Sequence, residues 1–574
     1  MSNEQEISRT TSQRSAQQDG QSLHRMYSGQ YLDDQSVYIG QLDPDETDSQ
    51  HGSDISEDLR EKDDEEAVEE GQDKIFEVRD GIPNERDLEA QPKLEKSRSS
   101  KSARDPNIIT WDGPDDPASP KNWSFKQKWA ATFVVSSFTF ISPVSSSMVA
   151  PALTSLAQDL NITSEVEVQL TLSIFVLGFA IGPLILGPFS EIYGRIPILQ
   201  LANLFFLVFN IACGVCTSKG QLLAFRFLAG LGGSAPLAIG GGVLSDCWRP
   251  EQRGKAVSLY SLAPLLGPAV GPIAGGFIAE KTTWRWVFYS TSIVDGIIQA
   301  FGLLFLRETY APKLLQNKVL KLRKETGNMN FRTEFDHPDR KLSTTLKHAL
   351  VRPFRLLATQ PIVQFLAVYM AYTYGIMYLV LSTFPTLWTV HYHESTGIGG
   401  LNYISLGLGF FLGAQICAHV NDIIYRRLKQ RYNGIGRPEF RVPMLIPAAI
   451  CTPVGLFIYG WSAQARTHWI VPNIGALLFS AGTIMTFQCI QTYLVDSYAR
   501  FAASAVGAGT VLRSLAGFGF PLFAPYMYQS LKYGWGNSVL AFVSIGLGIP
   551  APFILWKYGE VLRKRSTFAA GGDK

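Results

Sequence analysis

Twelve apolar runs of roughly 20 residues recur between Trp129 and Lys557, and no other feature constrains this chain as much. A helix of that length rises about 30 Å, the depth of a bilayer's hydrocarbon layer. The runs fall at 129–150, 168–190, 197–216, 221–245, 256–279, 285–306, 361–388, 400–420, 442–462, 469–495, 502–524 and 536–557. Lipid offers no partner to a free N–H or C=O, so continuous apolar runs must close their hydrogen bonds internally, as helices. The expectation is an all-α membrane protein of twelve transmembrane helices in two six-helix pseudo-repeats. The N-terminal half is 111–306, the polar central loop 307–360, the C-terminal half 361–557 and the end tail 558–574.

Ahead of these lies a different kind of chain. The net charge of +2 conceals −14 over residues 1–110 and +16 over the rest. A segment with Asp63-Asp64-Glu65-Glu66 and almost no aromatics buries too little apolar surface to offset its ordering entropy, so 1–110 is predicted to be a disordered acidic tail. No apolar stretch opens the chain, which places the tail on the side of synthesis. With the tail inside, the inner side holds thirty Lys and Arg near span ends and in short loops, and the outer side holds five. By the positive-inside rule both termini, the central loop and the end tail are cytoplasmic. The sequon Asn161-Ile-Thr163 then lies outside, making Asn161 a glycosylation candidate.

Composition removes several functions. Only 17% of residues are charged, against about 25% in a soluble domain, which argues against a plain soluble enzyme. No phosphate-binding glycine loop or nucleophile motif appears, so neither an enzyme nor an ATP-driven pump is expected. The six cysteines sit in or beside apolar segments and form no disulfide framework, and Cys213-Gly-Val-Cys216 reads as packing. His391-Tyr-His393-Glu394 lacks further ligands. No metal, cofactor or nucleic acid is implied.

Four groups of residues carry the chemistry. In the second-to-third loop, Gly187-Pro-Phe-Ser-Glu191-Ile-Tyr-Gly194-Arg195 provides a tight reversal at Gly194 and an acid facing Arg195 one turn away. Arg195 could also pair with Asp246, giving a charge latch of Glu191, Gly194, Arg195 and Asp246. A second copy is read in Asp422-Ile-Ile-Tyr-Arg426 of the eighth-to-ninth loop, with Asp496 in the place of Asp246. In the fifth span, Gly267, Gly271 and Gly275 share a face suited to close helix packing, with Gly276 beside it, while Pro268 and Pro272 free carbonyls and bend the helix. Charges inside the membrane are costly and hence functional candidates. They are Arg226 in span four, Asp295 near the middle of span six and Arg513 midway along span eleven. Arg226 and Asp295 are read as proton-coupling residues, Asp295 because withdrawal from water favours a carboxyl's neutral form. Aromatic and amide residues of the second half, among them Tyr372, Tyr378, Phe411, Gln488 and Gln491, could line a cavity for greasy or cationic solutes.

On these residues the chain resembles the major facilitator superfamily, and within it the twelve-span fungal drug:proton antiporters. Gly187 to Arg195 matches the family's inner-loop motif, Arg226 to Gly233 its fourth-span arginine motif, and Gly267 to Gly276 the antiporter motif of span five. Trp111-Asp-Gly-Pro-Asp-Asp-Pro-Ala-Ser-Pro-Lys-Asn-Trp123, Arg307-Glu-Thr-Tyr-Ala-Pro312 and Arg437-Pro-Glu-Phe-Arg441 look like marks of the subgroup that exports azoles, cycloheximide and polyamines. The match covers roughly 108–560. Glu191 replaces the motif's Asp, and Ile192 and Ile196 replace two basic positions, which thins the latch. Asp295 matches no motif position. The resemblance implies the major facilitator fold and a monomeric, proton-coupled exporter of drugs, toxins or endogenous metabolites. It would sit among the lipids of the plasma membrane, or alternatively the vacuolar membrane, with the proton gradient as driving force and no cofactor. A nutrient symporter and a receptor or scaffold are the alternatives.

Overall fold

The computed structural model of the chain describes residues 107–249, 252, 254–335, 342–432, 436–498, 501–566, 568 and 569. The predicted disordered tail, except its last four residues, lies outside them, as do Arg253 and Arg500.

Six helices form the first half: α1 Phe125–Ser147, α2 Glu165–Tyr193, α3 Arg195–Val215, α4 Lys219–Cys247, α5 Gly254–Lys281 and α6 Arg285–Phe305. Six more form the second: α7 Pro361–Thr386, α8 Tyr403–Arg431, α9 Leu445–Gln464, α10 Ile470–Ser497, α11 over 502–531 and α12 over 533–564. The last two run as one apolar tract, Ala502–Lys564, of 63 residues. At 1.5 Å per residue that tract is about three times the hydrocarbon depth, so it crosses twice. The left-handed backbone of Lys532, at φ 56°, makes the reversal without a loop.

Local chemistry explains several departures from the expected limits. Ser124 and Gln127 cap each other's backbone and start α1 at Phe125, four residues before its predicted start at 129. Helix α4 is interrupted at Ser234, between Lys219–Gly233 and Ala235–Cys247, just ahead of Pro236. Two predicted loops are corrected. Residues 187–193 are helical and only Gly194, at φ 106°, separates α2 from α3. Asp422 and Arg426 likewise lie on α8, which runs 11 residues past the end of its apolar run at 420. Hydropathy marks where lipid ends, whereas a helix continues through polar residues until something stops it. The central loop also contains helices, Ala311–Thr326 and Leu342–Thr359.

The exterior is apolar. Leu303 and Leu304 near the end of α6 are 69% and 75% exposed, a surface that only lipid or another protein would cover. The end of the bundle that carries Gly194 and the insert 307–360 is the basic face below; the other end carries the Lys281–Arg285 turn and Ser395.

Candidate functional site

Arg226 projects from α4 into the junction of three helices and is fully buried. Its Nε donates to the Thr171 carbonyl of α2 at 3.1 Å. Its Nη1 and Nη2 donate to the carbonyls of Ser145 and Ser146 at 3.1 and 3.2 Å. Those two carbonyls belong to the last turn of α1, where C=O groups lack intrahelical partners and the helix dipole is negative. Phe175 covers the guanidinium at 4.6 Å. Arg226 thus ties α1, α2 and α4 together through main-chain oxygens.

Asp295 is likewise fully buried, on α6 facing α3. Asn203 Nδ2 donates to both carboxylate oxygens, at 3.1 and 3.2 Å, and to Gln299 Oε1 at 2.9 Å. Arg226 and Asp295 do not touch. Between them runs a polar seam: Asn210, two turns along α3 from Asn203, donates to Thr291 and Ser292 of α6, each at 2.8 Å, and accepts from Ser145 Oγ at 3.0 Å. The carbonyl of that same Ser145 accepts from Arg226. Sequence reasoning missed the seam, although two asparagines seven apart in an apolar span were a visible signal.

At the basic face of the first half, Arg195 Nε meets Asp246 Oδ2 at 2.5 Å and the guanidinium lies 4.9 Å from the Tyr310 ring. Glu308, just beyond α6, accepts the first two N–H groups of α3, from Arg195 at 3.1 Å and Ile196 at 3.3 Å. Acid at a helix N-terminus satisfies orphan donors and opposes the dipole. A Cβ at Gly194 would collide with that carboxylate, so both its space and its φ require glycine. Glu191 stands close to the Arg195 charge. Glu308 was unassigned in sequence, despite standing in the Arg307 to Pro312 mark.

The second half builds its cluster differently from the expectation. Arg441, in the 3-10 turn Pro438–Met444 ahead of α9, holds Asp422 at 2.8 Å and Asp496 at 3.3 Å and stacks 4.3 Å from Tyr425. Arg426, the residue predicted for that place, reaches the backbone carbonyl of Asp422 at 3.4 Å. Arg441 was the last residue of another mark, Arg437 to Arg441. Nearby, Arg563 of α12 pairs with Glu439 at 3.2 Å.

The small-residue face of α5 lies against α1. Gly267 abuts Pro143 and Val144, Gly271 abuts Val144 and Ser147, and Gly275 abuts the Met148 backbone. Gly276 instead faces Thr396 and Gly400 ahead of α8 in the other half. Pro268 and Pro272 are buried within the same helix. At the end of α5, Glu280 Oε2 accepts the Gly397 N–H at 2.6 Å, and Gln529 of α11 donates to Glu165 of α2 at 2.7 Å. These bonds join the halves on the face opposite the basic one. They also meet at the last turn of α1, where Ser146 Oγ lies 3.2 Å from the Tyr378 hydroxyl.

Of the cavity candidates, Tyr378 faces this junction and packs 5.0 Å from Tyr374. Tyr372 instead donates to the Leu540 carbonyl of α12. Phe411 is 39% exposed on α8, and Gln488 and Gln491 are half-buried on α10. Asn161 is exposed, in a left-handed turn before α2. His391 contacts the Ala463 carbonyl and Glu394 accepts from Asn402, so that triplet is engaged in packing. Among the described residues no group of three or more His, Cys, Asp or Glu could hold a metal.

The model of the Major Facilitator Superfamily matches residues 135–521. Efflux pump vrtL of Penicillium aethiopicum is 54% identical over 487 residues, spanning 84% of this chain and 96% of that relative. Efflux pump radE of Floropilus chiversii is 45% identical over 466 residues, 81% of this chain and 86% of the relative. Among solved structures, the partially occluded inward open conformation of the xylose transporter XylE from E. coli gives a TM-score of 0.55 at 16% identity, covering 78% of this chain and 100% of that one. At that identity the likeness shows the fold alone.

Proposed function

We propose an export function on one premise: the chain belongs to the major facilitator superfamily. It moves small hydrophobic molecules out across the membrane by alternating access, rocking its two six-helix halves about their junction, with protons entering in exchange. The likeness to two efflux pumps over more than four-fifths of the chain carries the reading. The close packing of α5 against α1 at Gly267, Gly271 and Gly275 is in keeping with it, since the resemblance of this stretch to the antiporter motif implies a contact that restricts leak. The basic face is cytoplasmic and the protein works as a monomer in the plasma membrane.

Asp295 carries the proton. It is the buried acid of the helix interior with no cation in hydrogen-bond reach among the described residues, held by Asn203 one helix turn from the Thr291 that Asn210 bonds. Loading and release of the proton then bias the two states in opposite directions.

In cells stripped of their own pumps, expression lowers the accumulation of an exported dye. Unchanged accumulation defeats export, and a difference that survives a protonophore defeats proton coupling. Asp295→Asn flattens the pH dependence of transport while the protein still reaches the membrane; an unaltered pH profile assigns Asp295 to structure.

A further inference from the structure

Two of the three charges in the membrane interior are engaged by main-chain carbonyls or amides. Arg513 is not. It lies 11 residues into α11 from Ala502, about 17 Å along a helix that crosses about 30 Å of hydrocarbon. Its guanidinium lies 4.6 Å from the ring of Phe487 on α10 and 5.0 Å from that of Tyr374 on α7. Its Nε is buried with no acceptor. Among the described residues no carboxylate pairs with it, and its ionisable neighbours are the phenols of Tyr374 and Tyr378. Tyr378 is the residue that meets Ser146 of the first half. Gly517, one turn further along α11, faces both Tyr374 and Val176 of α2. The guanidinium therefore sits at mid-depth, where the two halves adjoin.

Arg513 is half-buried, and a cation only partly reached by water and lacking a counter-ion is unfavourable, with aromatic faces compensating only part of the loss. An anion would supply the missing charge and accept from the planar N–H fork, and the two rings would wall its flat apolar body. We propose that Arg513, between Tyr374 and Phe487, recognises the transported molecule, and that this molecule is a planar aromatic anion, a ring bearing a carboxylate or phenolate. The inference rests on the export reading and adds the charge class of the cargo. A cationic solute here would face like charge, since the buried acid, Asp295, is occupied by Asn203 between α3 and α6.

Two xanthene dyes of similar shape and opposite charge test this, fluorescein as the anion and rhodamine 6G as the cation. On the purified full-length protein, fluorescence anisotropy should show fluorescein bound at least about tenfold more tightly, the scale of one charge-assisted hydrogen bond. Arg513→Gln should lose that tenfold, and Arg513→Lys should recover part of it, because lysine keeps the charge and loses the fork. Equal or tighter binding of rhodamine 6G by the unmodified protein overturns the proposal without any variant. So does full fluorescein affinity in Arg513→Gln. In whole cells, export of rhodamine 6G without fluorescein overturns the anion class and leaves export standing; export of neither dye by correctly inserted protein overturns both.

Discussion

The two halves hold their basic-face ends with the same chemistry and different redundancy. In the first half Arg195 is in contact with Asp246, both largely withdrawn from solvent at 6% and 18% side-chain exposure, and the Glu191 charge stands close by. In the second, Arg441 is shared between Asp496 at 17% and Asp422 at 52%. Each arginine also stacks on a tyrosine, Tyr310 and Tyr425. A pair buried on both sides is a switch, because breaking it leaves a charge that water reaches poorly. A shared arginine is a hinge, because it can release the exposed acid and keep the other.

That contrast sets the size of three expected effects. Asp246→Asn is the largest. It leaves Arg195 buried beside a neutral amide and costs about 3 kcal/mol, the low end for a broken buried pair. The matched change Asp422→Asn costs under about 1 kcal/mol, because half-exposed pairs contribute little and Asp496 remains. Thermal unfolding of the purified proteins compares them, and equal shifts for the two variants would break the comparison. Next, Glu308→Ala removes the cap from the first turn of α3 and costs about 1 kcal/mol; hydrogen exchange should quicken at the Arg195 and Ile196 amides and not at α9.

The smallest effect concerns Asp116, ahead of α1. N–H bonds from Asp112 and Ala118 hold its carboxyl below the ordinary value of 3.8. A lowered value means stability present at neutral pH and lost as pH falls through the folded value. The protein should therefore lose stability below about pH 4 slightly more steeply than Asp116→Asn does. Parallel curves would show that this turn contributes nothing to the first half.

Periodicity and hydropathy made the twelve crossings readable, together with the shared face of Gly267, Gly271 and Gly275, because both signals are local. The Arg195 and Asp246 pair was also readable, since each stands at a helix end on the same side. Arg441 was hidden behind Arg426 for a physical reason. Both are basic residues at one end of the bundle, and which of them meets Asp422 depends on how far α8 continues beyond lipid. Glu308 acts on amides more than a hundred residues away, and Arg513 meets rings from two other helices. Convergence of that kind is set by tertiary packing and leaves no local trace.

The bonds joining the halves lie at unequal distances from their junction. Gly271 packs at the level of Ser147, next to Ser146, and Glu280 stands nine residues further along α5, about 14 Å away. When two rigid bodies turn about a fulcrum, displacement grows with the lever arm. Were the two halves to turn about the Ser146–Tyr378 contact, a small displacement there would carry Glu280 further from Gly397 and strain their 2.6 Å bond. One carboxylate at the tip of α5 would then act as a tripwire for the whole motion, and a fluorophore or spin label on the Gly397 side would register each turnover.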